Sequence, residues 1–429
     1  MEPRLPRLLI VADSPEAFTN LGGISLLERW RRNVRQLGFR EATILSNSVE
    51  SEASWHGADV SFKFREHSGP EVTVADIQDF LTQTNAASEG RWLIVFGDFY
   101  CDARLLRALA EARRDSVLID SNPPPDIAPL WKESVFCAAL LSSEWFSGKN
   151  RDRSLREELA SDLTGGRIAA IDAARQEAYL PDMRRSVRPI FFPAPSPENR
   201  PLAERLLRDT TQKGVLDFPA LVHAPIEKWI VSHLCRTSIT PNQITLATAV
   251  LGIGVTLLYA FGYLLVGTLL ALVVGILDGV DGKLARLKVQ TTKIGKGEHA
   301  LDYCIEMSWW AALAYHFHLS GQVRYAYAIW LAFFVFDVLD RMAKWSVERK
   351  LARSLDDVSR FDRVVRYVSG RRNIYTWLFA FCLLIGHPAS GFVLLCGWGI
   401  ASAAVHIFRA VQIRFSYLSA VLGSVNSKL

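Results

Sequence analysis

Two carboxylates stand three residues apart at the end of a long apolar run, in the segment 278–286. They are Asp278 and Asp281, and the run before them, 264–277, contains no charged residue. Carboxylates at the edge of a bilayer core are costly, so such residues are rare and usually functional. Aspartates at i and i+3 lie on one face of a helix, where both can ligate one hard divalent cation. The segment therefore predicts a metal site at a membrane surface.

A second row of acidic residues follows nearby. Glu298, Asp302 and Glu306 are spaced by four, so a helix places them along one face. Two acidic helices that face each other at the membrane edge would hold one or two Mg²⁺-like ions, because hard cations prefer oxygen ligands. The alternative is interhelical salt bridging of the carboxylates with neighbouring basic residues, namely Lys283, Arg286 and Lys296.

This arrangement resembles the CDP-alcohol phosphotransferase family (CDP-alcohol phosphatidyltransferases), whose signature is D-x2-D-G-x2-A-R-x8-G-x3-D-x3-D. The first half of the signature matches residue by residue, at Asp278, Asp281, Gly282, Ala285, Arg286 and Gly295. The sequence Pro241-Asn242-Gln-Ile-Thr245 also resembles the P-N-x-x-T that often opens the first span in this family. The resemblance covers residues 225–429.

The second half of the signature departs, because the two expected aspartate positions hold His299 and Tyr303. A one-residue deletion aligns Glu298 and Asp302 with them, whereas a short insertion aligns Asp302 and Glu306. We favour the deletion because it shifts the register least. Asp302 belongs to both sets.

The resemblance implies roles for these residues. Asp278, Asp281, Glu298 and Asp302 would ligate Mg²⁺ (or Mn²⁺), and Asp302 would also act as the catalytic base. Arg286 would pair with a phosphate or organise the carboxylates. The rest of the CDP-alcohol site would consist of Asn242, Thr245, Gly282, Ala285 and Gly295. The implied partners are a CDP-alcohol donor, a lipid or polyol-phosphate acceptor and membrane lipids, and a homodimer is possible because family members are commonly dimers.

Hydropathy predicts an all-α membrane domain over residues 241–429 with six transmembrane helices. The predicted spans are 243–263, 264–285, 299–319, 323–343, 373–387 and 390–411, of which the fifth is short. Lys and Arg are concentrated in the loops after the second and fourth spans and absent from the opposite loops near 261–263 and 386–388. The positive-inside rule therefore predicts a multi-pass protein of the inner or cell membrane with its active site and both termini in the cytoplasm.

Two basic residues open the fifth predicted span, Arg371 and Arg372. They are candidates for binding the phosphate of a phosphorylated acceptor. An ordinary positive-inside anchor that contacts lipid headgroups is an equally good interpretation. Near the end of the fourth span, Asp337 and Asp340 are predicted to pair with Arg341 and Lys344 on the same helix.

Residues 1–220 predict a soluble α/β domain with a parallel sheet. Strand-length apolar runs occur at 7–12, 41–46, 92–97 and 116–120, and a helical pattern covers 26–37. Between the two domains, residues 221–240 predict a linker that includes an amphipathic interfacial helix, because apolar residues alternate there with Glu227, Lys228 and Arg236.

The glycines and Arg29 of 21–29, together with Phe96-Gly97-Asp98, resemble a sugar-phosphate nucleotidyltransferase, in which an aspartate at such a strand end binds metal. The loop 12–20 lacks the glycines and basic residues that would hold a triphosphate and carries Asp13 and Glu16. We therefore expect this domain to be degenerate, with Asp98 as a weak metal candidate and a turn-capping residue as its alternative role.

The sequence predicts a divalent-metal-dependent membrane transferase that moves a substituted phosphate group from a CDP-alcohol to an acceptor hydroxyl and releases CMP. One alternative is a bifunctional enzyme that also makes the CDP-alcohol from CTP and a polyol or sugar phosphate. Another is a non-catalytic membrane adaptor. The net charge of +5 is too small to indicate a nucleic-acid partner.

Overall fold

A computed structural model gives the fold. It describes residues 5–46, 61–66, 69, 71–83, 90–131, 136–214, 217–290, 295–351 and 353–426, without the side chains of 62, 64, 66, 295–299 and 416–426. The chain divides into two compact units. Unit 1 comprises Met1–Ala178 and Val187–Thr210, and unit 2 comprises Tyr179–Ser186 and Thr211–Leu429.

The strands are short and occur in the first half of the chain. They are β1 Arg7–Ala12, β2 Asn20–Leu21, β3 Ile24–Ser25, β4 Glu41–Ser46, β5 Ser61–Glu66, β6 Arg91–Phe96, β7 Phe99–Cys101, β8 Ser116–Ile119, β9 Ala138–Ser142, β10 Ala169–Asp172, β11 Tyr179–Leu180, β12 Arg185–Ser186 and β13 Phe191–Pro193.

The α-helices occur throughout and become long in the second half. They are α1 Leu26–Gln36, α2 Val74–Gln83, α3 Ala103–Ala110, α4 Leu155–Thr164, α5 Arg200–Thr210, α6 Ala220–Leu234, α7 Pro241–Ala260, α8 Leu264–Leu287, α9 Gly295–Leu319, α10 Ala326–Leu351, α11 Arg360–Val368, α12 Arg372–Leu384 and α13 Pro388–Asn426.

Unit 1 is an α/β domain built on a seven-stranded sheet with the order β10-β8-β9-β6-β1-β4-β5. The predicted α/β class and the four predicted strands are confirmed, but the prediction of a parallel sheet is wrong in one strand. β9 runs antiparallel to both of its neighbours, β6 and β8, whereas the other pairs in this sheet are parallel. The apolar run 136–141 is buried like its neighbours, so its composition gives no sign of its direction.

Unit 2 is mostly helical, and its described helices coincide with the six predicted spans. Three helical segments are both long and apolar enough to cross a membrane among the described residues: Pro241–Ala260, Leu264–Leu287 and Pro388–Phe415. The prediction of six spans is therefore met in part. α9 and α10 carry several charged residues each, and α12 has only 13 residues, or about 20 Å against a bilayer core of about 30 Å.

Helix α12 and the turn before it contact α13. The Trp398 indole N–H donates to the Val368 carbonyl at 2.8 Å, and the backbone N–H of Gly370 donates to the Ser402 hydroxyl at 2.8 Å. Arg409 of α13 also bonds Asp362 of α11 at 2.8 Å. The break between α11 and α12 therefore lies beside α13.

Helix α6 begins and ends a few residues before the predicted interfacial segment. Some of its apolar side chains are exposed, whereas some of its polar side chains are buried. Trp229 is 66% exposed, whereas His223 and Glu227 are buried. An exposed indole with inward-facing polar groups is typical of a helix at a membrane interface rather than in water. α6 packs against α8, the helix that carries the two aspartates.

Candidate active site

A cavity of about 680 Å³ in unit 2 collects most of the residues that the sequence singled out. Its walls come from the ends of the helices α7 to α10 and α12 and from the segment that precedes α6. The lining residues are Lys213, Asp217, Pro241, Asn242, Thr245, Asp278, Asp281, Gly282, Ala285, Arg286, Gln290, Asp302, Tyr303, Glu306, Asp337, Asp340, Arg341, Lys344, Gly370, Arg371, Arg372 and Asn373.

The two aspartates of α8 face this cavity and have different partners. Asp278 is paired with Arg372, whose Nη2 lies 2.6 Å from Oδ2. Asp281 accepts a hydrogen bond from the Thr245 hydroxyl at 2.7 Å. Thr245 is held there because α7 begins nearby, with a reciprocal cap between Thr240 and Gln243 and with proline at the first helical position. The predicted substrate residues Asn242 and Thr245 thus border the aspartates.

Helix α9 brings the second acidic row to the same cavity. Asp302 lines it and lies within electrostatic range of Asp281 and Arg372. Glu306, one turn later, is buried beside Arg341 at 3.7 Å. The alternative residue Glu306 is therefore in the cavity with Asp302. The side chain of Glu298 and the surroundings of Gly295 lie outside the described residues.

The residues fit a hard cation by their chemistry. Carboxylate oxygens from Asp278, Asp281 and Asp302 converge on one cavity, which is the ligand type that Mg²⁺ and Mn²⁺ prefer. Among the side chains that the structure describes, no group of three or more His, Cys, Asp or Glu residues is arranged closely enough to hold a metal ion. The side chain of Glu298 is not among those that the structure describes.

The motif arginine turns toward the backbone. Arg286 Nε donates to the Thr211 carbonyl at 2.9 Å. A Cβ at Gly282 would lie 3.3 Å from Arg286 Nη1, so the glycine leaves room for the guanidinium to lie across the helix. Within the described chain no carboxylate lies at ion-pair distance from Arg286, although Asp281 is in electrostatic range. Of its two suggested roles, the geometry favours phosphate binding.

Arg371 belongs to an ion-pair network around one buried carboxylate, Asp356, in the turn before α11. Asp356 Oδ2 lies 2.7 Å from Arg371, 3.0 Å from Arg366 and 3.3 Å from Arg184. Burial raises the pKa of Asp356, but the positive charges of Arg371, Lys344 and Arg184 outweigh it and hold the pKa below its ordinary value. Arg371 is therefore positioned at the cavity wall by a residue that the sequence analysis did not single out.

The acidic pair of α10 forms the predicted ion pairs, Asp337 with Arg341 and Asp340 with Lys344, each at 2.8 Å. Asp340 also bonds His406 Nδ1 at 2.9 Å. All four paired residues line the cavity, which the spacing alone did not indicate.

Two variable positions within the motif, Gly279 and Lys283, contact Glu227 of α6. The buried Glu227 carboxylate pairs with Lys283 at 2.7 Å, and a Cβ at Gly279 would lie 2.3–2.5 Å from that carboxylate. Lys283 therefore pairs with Glu227 of α6 and not with the carboxylates of the cavity, as the salt-bridge alternative required. Lys296 lies outside the described side chains. The alternation of charged and apolar residues in 221–240 revealed α6 but not this partner.

Comparison with known proteins decides the family of this region. Residues 238–335 match the model of the CDP-alcohol phosphatidyltransferase family. The chain contains a CDP-alcohol phosphatidyltransferase domain. The resemblance inferred from the motif in α8 is confirmed, and so is the assignment of the chain as an enzyme with a phosphotransferase domain.

Two curated relatives of this chain are each named "Bifunctional IPC transferase and DIPP synthase". The protein from Aquifex aeolicus is 28% identical over 204 residues, covering 47% of this chain and 46% of the relative. The protein from Thermococcus kodakarensis is 38% identical over 124 residues, covering 28% of each. The chain thus matches less than half the length of either relative.

Among solved structures, the inositol-1-phosphate CTP transferase from T. maritima is similar at 12% identity, with a TM-score of 0.34, over 48% of this chain and 98% of that chain. This similarity is too weak to support a conclusion about unit 1.

Outside the CDP-alcohol phosphatidyltransferase domain, the candidate residues of unit 1 have structural partners. Asp98 pairs with Arg156 at 2.7 Å, and Asp13 accepts from the Val72 backbone N–H at 2.9 Å. Burial raises the pKa of Asp98 in spite of that arginine. Arg29 is buried and donates to the Leu21 carbonyl at 2.8 Å.

Proposed function

We propose that the protein is a membrane transferase that moves a substituted phosphate group from a CDP-alcohol to an acceptor hydroxyl and releases CMP. The observation that carries this proposal is the convergence of Asp278, Asp281 and Asp302 on one cavity together with Arg286 and Arg372. Transfer of a substituted phosphate group from the phosphoanhydride of a CDP-alcohol to a hydroxyl requires carboxylates that hold a divalent cation and arginines that hold phosphates.

The proposed roles follow from the family resemblance and from the positions of the described residues. Asp278, Asp281, Glu298 and Asp302 would hold Mg²⁺ or Mn²⁺, which neutralises the pyrophosphate and the departing CMP. Asp302 takes the proton from the acceptor hydroxyl, whose oxygen forms the new P–O bond. The bond between that phosphorus and the oxygen of CMP breaks, and CMP leaves with the electron pair. Gly282 and Ala285 keep the face of α8 low enough for the nucleotide to approach.

The acceptor end of the cavity is proposed to lie near Arg371 and Arg372. Both line the cavity, and each pairs with a carboxylate, Asp356 or Asp278, which supports the binding of an oxyanion by these guanidinium groups. This supports a phosphorylated acceptor over a neutral one. A lipid and a water-soluble polyol phosphate are distinguished by the assay below.

The proposed topology is a multi-pass membrane protein with six crossings and a cytoplasmic active site. The three long apolar helices support membrane insertion, and the basic loops support the orientation. Labelling of single cysteines in the loops after α7 and after α8, in intact and in opened cells, tests this. Labelling of the loop after α8 in intact cells would contradict the orientation.

The catalytic proposal is tested with full-length protein in detergent or liposomes, a panel of CDP-alcohols and acceptors, and detection of CMP and products by mass spectrometry. We expect CMP release to require Mg²⁺ or Mn²⁺ and to stop with EDTA. Asp281→Asn and Asp302→Asn should each reduce the rate at least about a hundredfold. Asp182→Asn, an exposed aspartate outside the cavity, is the matched control. Full activity of either cavity variant would refute the assignment. A protein that releases no CMP and binds no metal would support the non-catalytic adaptor instead.

A second candidate is a bifunctional enzyme that also makes the CDP-alcohol from CTP. The word "Bifunctional" in the names of both relatives favours it. The partners of Asp98, Asp13 and Arg29 in unit 1 oppose it. The test is pyrophosphate release from CTP and a panel of polyol or sugar phosphates by the full-length protein. Release that Asp98→Asn abolishes would establish the second activity, and no release at saturating substrate would exclude it for that panel.

A further inference from the structure

The cations that line the cavity are not equally neutralised. Four of them have carboxylate partners at 2.6–3.7 Å: Arg341, Lys344, Arg371 and Arg372. The remaining two are Lys213 and Arg286. In the part of the chain that the structure describes, neither has a carboxylate within ion-pair distance. Two cations without a carboxylate at ion-pair distance make the cavity an attractive environment for an anion.

The two cations are joined through one short segment, Thr211–Gly214. Arg286 Nε donates to the Thr211 carbonyl at 2.9 Å, and Lys213 follows two residues later. Desolvation and then the positive charges of Arg286, Arg184 and Arg371 lower the pKa of Lys213 below its ordinary value, although the negative charge of Asp278 opposes them. Several like charges therefore converge at this end of the cavity.

The segment that carries Lys213 is fixed by the hairpin β11–β12. The Gly214 N–H donates to the Met183 carbonyl at 2.9 Å, and Arg185 Nη1 donates to the Gln212 carbonyl at 3.4 Å. A Cβ at Gly214 would lie 2.4 Å from the Arg184 carbonyl oxygen. The segment is thus held against the hairpin backbone on both sides of Lys213.

We propose that Lys213 is a phosphate-binding residue of the cavity, which acts with Arg286 on a phosphate or pyrophosphate group and is held in place by the hairpin Tyr179–Ser186. The proposal rests on the proposed function for the identity of the substrate. The phosphate group belongs either to the donor, as its pyrophosphate, or to the acceptor. Lys213 precedes the region matched by the family model, so that match says nothing about it.

The first experiment compares steady-state kinetics of full-length wild type, Lys213→Met, Lys213→Arg and the control Lys350→Met, an exposed lysine outside the cavity. We expect Lys213→Met to raise the KM of one substrate by about tenfold, the loss of one charge-assisted contact, with kcat within twofold. Lys213→Arg should retain most of the affinity. A higher KM for the CDP-alcohol assigns the contact to the pyrophosphate, and a higher KM for the acceptor assigns it to that phosphate. Unchanged KM values for both substrates overturn the proposal.

The second experiment separates this proposal from the proposed function, because it needs no turnover. Thermal unfolding of the same proteins is followed with inorganic pyrophosphate and with inorganic phosphate. At least one anion should stabilise wild type and Lys350→Met, and should stabilise Lys213→Met much less. If that pattern appears in a protein that releases no CMP, the anion site stands and the proposed function fails. Equal stabilisation of all variants, or none in wild type, overturns the anion site.

A further variant tests the hairpin. Gly214→Ala should weaken anion stabilisation as Lys213→Met does, because the added methyl group collides with the Arg184 carbonyl and displaces the segment. Gly386→Ala, at a positive φ of 80° with open space around it, is a control for general loss of stability. Full anion stabilisation of Gly214→Ala overturns the role assigned to the hairpin.

Discussion

Thr245→Val isolates one contact to the proposed metal ligands. The Thr245 hydroxyl donates to Asp281 Oδ2 at 2.7 Å, and valine keeps the shape of the side chain without the donor. A hydrogen bond to a charged group contributes about 1.5–3 kcal/mol. If that contribution positions the Asp281 carboxylate for a cation, its loss corresponds to roughly 10- to 150-fold in the affinity that depends on it.

The assay is CMP release by full-length protein as a function of Mg²⁺ concentration. We expect the half-saturating Mg²⁺ concentration of Thr245→Val to rise within that range, while the rate at saturating Mg²⁺ falls much less. Thr245→Ser retains the hydroxyl and should restore most of the affinity. Thr256→Val is the matched control, because Thr256 is on the same helix, about 16 Å away, and bonds Ser308 at 2.7 Å instead.

The result that would refute this reasoning is a Thr245→Val enzyme with an unchanged Mg²⁺ requirement and reduced maximal rate. Thr245 would then contact the substrate rather than position Asp281. A parallel loss in Thr256→Val would instead show a general effect on helix α7.

Three further predictions follow from buried contacts. Asp356→Asn leaves three arginine partners without their carboxylate and should destabilise the protein by about 3–5 kcal/mol in thermal unfolding, while Asp182→Asn changes little. Because the folded pKa of Asp356 is lowered, its stabilisation is present above the unfolded pKa of about 3.9 and is lost as the pH falls through the folded value. The melting temperatures of wild type and Asp356→Asn should therefore converge below about pH 4. A difference that stays constant with pH would contradict this. Gly279→Ala should cost about 1–3 kcal/mol, because its methyl group would displace the Glu227 carboxylate, and a wild-type melting temperature would contradict the close contact. Asp98→Asn should leave CMP release unchanged while it lowers the melting temperature of unit 1, and a loss of CMP release would tie that residue to catalysis.

The sequence predicted the part of the site that depends on local spacing. Asp278, Asp281 and Asp302 meet in one cavity because i, i+3 spacing on one helix and a close second helix suffice to bring them together. The class of unit 1 and the bounds of its buried strands were also predictable, since continuous apolar runs bounded by turns are typical of buried strands.

The rest depends on contacts between segments that are distant in sequence. Nothing near Asp356 indicates that Arg184 reaches it from 172 residues away, or that Glu227 pairs with Lys283. The direction of β9 was not readable from an apolar run, because a strand buried on both faces has the same composition in either direction. Only three of the six predicted crossings meet the length and hydropathy of a membrane span among the described residues, because charged residues that line the cavity lower the hydropathy of α9 and α10.

The two compact units are not consecutive in the sequence. The hairpin Tyr179–Ser186 belongs to unit 2, although unit 1 contains the residues on both sides of it. No single cut of the chain therefore yields both units intact: a fragment that ends near residue 210 carries the hairpin away from the cavity, and one that begins there lacks Arg184. Gene truncations of this protein should for that reason be replaced by point substitutions in the intact chain.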